Sequence, residues 1–195
     1  MVPCICTPFW YYPFILERND IVRIFVIAGG SGSGKGEVSR LIKEYYTYKL
    51  DNTVITEYSK YLKGFAKELS DWDGNENTKP RKYLQELGDK VRRFDNKFFI
   101  NRMIEDLKLY EEFTNNVCVV GARFPEEIDD IKENFDNVYS IYVVNQHDSS
   151  KLSLEEQSHI TETALENYNN FDYVLANDTM ESLKDKVFKY LDGIK

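Results

Sequence analysis

A lysine behind a row of glycines is the first chemical signal in the chain: Gly29-Gly30-Ser31-Gly32-Ser33-Gly34-Lys35, followed by Gly36 and Glu37. The spacing G-x-x-x-x-G-K is that of a phosphate-binding loop. Glycines let the backbone close tightly around an anion, so that several N–H groups converge with no side chain in the way. A helix starting at the lysine would add its positive N-terminal end, and Lys35 a full charge for the β- and γ-phosphates of a nucleotide. The hydroxyl that often follows the lysine and coordinates Mg²⁺ is missing, because Gly36 stands in its place. Glu37 either approaches a metal through water or is a first-turn acid that favours the helix dipole.

Such a loop needs a buried strand before it and an amphipathic helix after it, and both are legible. "IVRIFVIA" (21–28) is nearly all apolar, as a strand covered on both faces must be. Val38, Leu41, Ile42 and Tyr45 recur at helical spacing behind the loop. Further strands are expected at 52–58, 116–122, 137–144 and 171–177. Helices are expected at 59–69 with Ser59 as cap, from Pro80 through Tyr83, Leu84, Leu87 and Val91, and at 96–113, 125–135, 153–168 and 180–191. The polar "SDWDGNENTKP" (70–80) reads as a mobile loop. Strands alternating with helices predict an α/β fold, an open, mostly parallel sheet of about five strands with helices on both faces. Residues 1–20, aromatic and broken by Pro3, Pro8 and Pro13, read as a loosely ordered extension, and 21–195 as a single domain.

The loop, "KPRKYLQELGDKVRRFDNKFF" (79–99), "ARFPEE" (122–127), "HITE" (159–162) and "FDYVLANDTMESL" (171–183) together carry a resemblance. Over about residues 21–192 the chain resembles the bacteriophage and bacterial deoxynucleoside monophosphate kinase-like family. Its loop is also similar to that of adenylate kinase, where glycine likewise follows the lysine. The resemblance implies a three-layer P-loop kinase fold, ATP and Mg²⁺ as cofactors, and transfer of the γ-phosphate to a small phosphorylated acceptor. That acceptor would be a nucleoside or deoxynucleoside monophosphate. Residues 29–37 would hold the donor, and Lys35, Arg81, Arg93 (or its neighbour Arg92) and Arg123 would be catalytic. Glu127 matches the family acid beside Arg123, and Lys63 lies on the acceptor-side helix. The chemistry agrees with these assignments. Phosphoryl transfer needs cations that gather two anions, and the planar, always-charged arginine fork suits that task.

Two departures bear on catalysis. Gly121 stands where the family has an Asp, and no arginine follows Arg123, leaving Lys151 as the one cation of 145–158. Which residues hold the metal is therefore unknown at this level. Other phosphate esters (dephospho-coenzyme A, phosphomevalonate) and a nucleotide-binding protein without chemistry stay open. An acid such as Glu57 or Glu127 reaching the metal site would separate the last from the rest. His159 and Glu162 lie about one helical turn apart and read as solvated helix residues, since two ligands make no metal site.

With 25 Lys and Arg against 33 Asp and Glu, the net charge of −8 argues against nucleic acid as a partner. No continuous apolar stretch predicts a membrane span. Cys4, Cys6 and Cys118 form no disulfide framework, and Cys118 reads as a buried thiol, which points to a reducing, cytoplasmic location.

Overall fold

A computed structural model describes residues 22–145 and 158–194. The extension expected at 1–20, Cys4, Cys6, Lys151 and the first part of the helix expected at 153–168 lie outside the described residues. Strand β1 (Arg23–Ala28) runs into the glycine loop, and α1 (Lys35–Tyr48) leaves it. There follow β2 (Thr53–Glu57), α2 (Lys60–Leu69), a 3₁₀ turn at Glu76–Thr78, α3 (Arg81–Phe94) and α4 (Phe98–Tyr110). The chain continues through β3 (Asn116–Ala122), α5 (Pro125–Asn134), β4 (Val138–Asn145), α6 (Ile160–Thr163), β5 (Tyr173–Asn177) and α7 (Met180–Asp192).

The five strands form one parallel sheet in the order β2-β3-β1-β4-β5. Alternate residues of β1 serve opposite faces, as the pleat requires. Ile24, Val26 and Ala28 join one core with Met103, Leu107, Ile128 and Ile131 of α4 and α5. Phe25 and Ile27 join another with Val38, Leu41, Ile42 and Tyr45 of α1 and Leu183, Val187 and Leu191 of α7. Each fully buried side chain of this size contributes about 1.5–3 kcal/mol, so the two helical layers fix the sheet edges that carry the site. No helix among the described residues is long and apolar enough to cross a membrane.

The segment 70–80 differs from its expected mobility. Trp72 is buried with Ala66 and Leu84, and its Nε1 donates to the Asn75 carbonyl at 3.0 Å. Asn75 in turn caps the 3₁₀ turn by accepting from the Asn77 amide at 2.9 Å. One aromatic anchor and local Asx bonds order a stretch whose composition is otherwise that of a loop. The described part of the helix expected at 153–168 also differs: α6 is a single turn, Ile160–Thr163, followed by turns to Tyr168. Its apolar residues do not sustain a stripe, because Leu165 is buried while Ile160 is 53% exposed.

β3 contains a bulge with a consequence for the site. Ile27 pairs with Val120 and Ala28 with Ala122, so Gly121 is skipped in the ladder. Its φ of +84° lies in the left-handed region that glycine tolerates at no steric cost. The missing carboxylate at this position therefore coincides with a backbone shape that an Asp would strain.

Candidate active site

The glycine loop lies at the C-terminal ends of the strands, where connections leave β1 in one direction and β4 in the other, the usual crevice for ligands in an open α/β sheet. Gly29, Gly32 and Gly34 adopt φ of +139°, +75° and +100°. A Cβ at Gly29 would collide with the Val143 carbonyl, and one at Gly34 with the Asn177 side-chain amide. Asn177, at the end of β5, fastens the loop by donating to the Ser33 carbonyl at 2.9 Å. Gly34 provides no side-chain cap to α1, so the helix presents its first amides uncapped to the loop. The Ser33 hydroxyl is buried with no hydrogen-bond partner among the described residues, a donor of the kind an anion satisfies.

Lys35 Nζ donates to the carbonyls of Gly29 at 2.8 Å and Gly30 at 2.6 Å, so the loop wraps its own lysine. Burial, followed by repulsion from Arg123, lowers its pKa from 10.5 to about 7, while Glu162 pulls upward and Lys79 adds to the lowering. An anion in the loop would reverse this and restore the charge.

A cavity of about 340 Å³ opens from the loop. Ser31, Gly32 and Lys35 form one part of its wall, Glu57 to Ser59 after β2 another, and Lys79, Arg81, Leu84, Gln85 and Arg92 a third. Gly121, Arg123 and Glu127 close it from β3 and α5, and Thr161 and Glu162 from α6. Of the four candidate catalytic residues, Lys35, Arg81 and Arg123 thus face one space. Arg93 does not: it is exposed, and its neighbour Arg92 lines the cavity in its place. The reason is helical phase. At about 100° per residue, 92 lies about 20° from 81 around the helix and 93 about 120° away. Leu84, Gln85, Gly88 and Arg92 were the stripe to follow.

Arg92 is clasped rather than loose. Its guanidinium lies 4.5 Å from the Phe124 ring centre and 5.3 Å from that of Phe99, and approaches Asp89 at 3.8 Å and Glu127 at 4.0 Å. Gly88 gives it room, since a Cβ there would stand 3.0 Å from its Nη1. Glu127 is buried and accepts from the amides of Arg123 at 2.6 Å and Phe124 at 3.3 Å. Burial raises its pKa, against the pull of those two amides and of Arg92. It holds the turn that carries Arg123.

Glu57 is tied to Lys63 at 2.8 Å, and Lys63 also to Glu76 at 2.8 Å, so Lys63 supports the wall without lining it. Lys79, bonded to Glu76 at 3.1 Å, lines the cavity and carries a pKa lowered by burial. Its place in "KPRK" just ahead of α3 was the available signal.

Glu162 departs furthest from expectation. It is only 12% exposed, accepts from the Ser31 amide at 3.1 Å and pairs with Arg123 at 2.7 Å. His159, rather than sharing a metal with it, caps α6 and meets Asp89 of α3 at 3.1 Å. Sequence spacing could not show this, because Ser31 lies 131 residues from Glu162 along the chain and Arg123 belongs to another element.

Comparison with solved structures decides the fold. The Mycobacterium tuberculosis APS kinase CysC in complex with AMPPNP and APS superposes with a TM-score of 0.58 at 13% identity, covering 89% of this chain and 99% of that one. Shikimate kinase from Aquifex aeolicus gives 0.53 at 14%, covering 87% and 96%. Thymidylate kinase from Ehrlichia chaffeensis gives 0.50 at 13%, covering 88% and 99%. The chain has the P-loop kinase fold. No family model matches it. In sequence it is 26% identical over 186 residues to an uncharacterised protein, ORF77, of Ictalurid herpesvirus 1 (strain Auburn), covering 93% of this chain and 75% of that one.

Within this P-loop kinase fold the side chains fit phosphates better than a metal. Gly36 and Gly121 carry no ligand atoms, and Glu37 is paired with Arg40 at 2.8 Å, which matches the role of a first-turn acid. Among the described residues no group of three His, Cys, Asp or Glu is placed to hold a metal ion. Neither Glu57 nor Glu127 fills the gap, each being tied into the contacts given above.

Proposed function

We propose that this protein is an ATP-dependent kinase acting on a small phosphorylated acceptor, a nucleoside or deoxynucleoside monophosphate. The observation that carries the reading is one cavity bounded at one side by an anion-binding loop and lined elsewhere by Lys79, Arg81, Arg92 and Arg123. A single phosphate seat needs no second set of cations; two anions brought together do.

The loop amides and Lys35 hold the donor phosphates. Arg81, Arg92 and Lys79 hold the acceptor phosphate, and Tyr58, Leu62, Leu84 and Phe99 offer an apolar wall for a planar base. Arg123 follows the strand next to β1, and Glu127 links its backbone to Arg92, so it joins the two groups of cations and is placed to neutralise charge in transit. Mg²⁺ on the donor would supply further neutralisation through the phosphates and water, without a dedicated side-chain ligand here. Residues 21–195 act as one domain in this reading, in a reducing cytoplasm that suits the buried, unpaired Cys118.

The test is ATP turnover with Mg²⁺ against ribo- and deoxyribonucleoside monophosphates, dephospho-coenzyme A and phosphomevalonate. Turnover should require one of the nucleotides and fall by about 100-fold or more in Lys35→Ala. ATP binding with no stimulation by any acceptor would replace this reading with that of a nucleotide-binding protein lacking the chemistry.

A further inference from the structure

We infer that Glu162 is an internal anion that sits in the phosphate seat of the loop, so that the donor must expel it to bind. The inference rests on the reading of the loop as the donor site and adds its control.

The geometry is that of a stand-in for a phosphate. A carboxylate presents two oxygens, and here one accepts from the Ser31 amide of the loop while the other pairs with Arg123. A bound phosphoryl group would use the same two partners, an inward-facing loop amide and a guanidinium. The charge of Glu162 is also felt at Lys35, where it acts against the other influences on that lysine. Both a donor contact and the arginine needed for transfer are therefore engaged by one side chain.

The carrier of Glu162 is suited to release it. α6 is a single turn, and its ties are polar: His159 to Asp89 at 3.1 Å, and Arg123 Nη1 to the Thr161 carbonyl at 3.4 Å. The apolar anchor comes after it, at the buried Leu165. Withdrawing the carboxylate thus breaks hydrogen bonds that water replaces, and leaves the core untouched. A donor phosphate in the loop repels Glu162, takes the Ser31 amide and frees Arg123 for the group in transit. Donor binding and the arming of Arg123 become one event.

The test compares the full-length protein with Glu162→Gln, Glu162→Asp and Lys35→Ala, titrated with inorganic tripolyphosphate and with ATP by calorimetry. Glu162→Gln keeps the shape and removes the charge, so it should bind both about tenfold more tightly than the parent. Its melting temperature should be lower without the anion and should rise further on adding it. Glu162→Asp, with the charge on a shorter arm, should lie between them. Equal or weaker binding by Glu162→Gln, with Glu162→Asp unchanged, overturns the inference and leaves the donor site standing. If neither ligand binds the parent or the Gln variant, or Lys35→Ala binds as well as the parent, the donor reading falls and the inference with it.

Discussion

The loop and the α3 side of the cavity offer an anion different kinds of partner. Around Gly29 to Lys35 the contacts are mostly main chain, shaped by three glycines at positive φ and wedged between Val143 and Asn177. On the α3 side they are long side chains: Lys79, steadied by Glu76, Arg92, steadied by Glu127 and two phenylalanine rings, and Arg81. Backbone amides cannot be exchanged by substitution and adopt one shape. Guanidinium and ammonium groups can be retuned one at a time. A P-loop fold that keeps one donor while its acceptor varies is well served by that division.

The contrast breaks first at the loop. Gly29→Ala should destabilise the protein by about 2–4 kcal/mol in urea unfolding, from φ strain plus the collision with the Val143 carbonyl. A loss under about 1 kcal/mol would mean that the loop is not wedged as described. Next comes the α3 side, where single side chains should matter for one substrate only. Arg92→Ala should raise the acceptor KM by about 10–100-fold, the loss of a charged hydrogen bond, with the KM for ATP nearly unchanged. Arg93→Ala should stay within about twofold for both. The reverse ranking would return the role to Arg93.

The smallest effect concerns the proton on Lys35. With a pKa of about 7 in the free protein, the lysine is mostly neutral at pH 8, and a bound phosphate recharges it. Calorimetry in buffers of different ionisation enthalpy should show greater proton uptake per ATP at pH 8 than at pH 6. The sign for stability follows from the same shift. Between about 7 and 10.5 the unfolded chain binds more protons at this site than the folded one, so the ligand-free protein gains stability from Lys35 as pH rises through that window. Equal uptake at both pH values would show that the loop does not depress this lysine.

Several expectations were legible because their causes are local. β3 was expected at 116–122 and is found there, and the apolar spacing of α1 placed Val38, Leu41, Ile42 and Tyr45 in the core. The order in 70–80 was not legible, because one tryptophan packing on Ala66 and Leu84 outweighs the composition around it. Arg92 was half legible: the helical phase of Arg81, Gln85 and Gly88 points to it once α3 is placed. Glu162 was read as a solvated helix residue, and among the described residues of the expected helix only Ile160–Thr163 is helical.

What the sequence determined by itself was the loop and the strand and helix that frame it. Glycine spacing sets allowed φ values, and apolar period sets which faces are buried, both properties of neighbours along the chain. What only the tertiary structure decided was which charges share the cavity: Arg92 instead of Arg93, Lys79 beside them, and Glu162 against Ser31 and Arg123. Electrostatic contacts act through space between residues far apart in the chain: helical phase and the "KPRK" run offer Arg92 and Lys79 as candidates, but which charges meet is set only when the sheet brings β1, β3 and the segment after β4 to a common end.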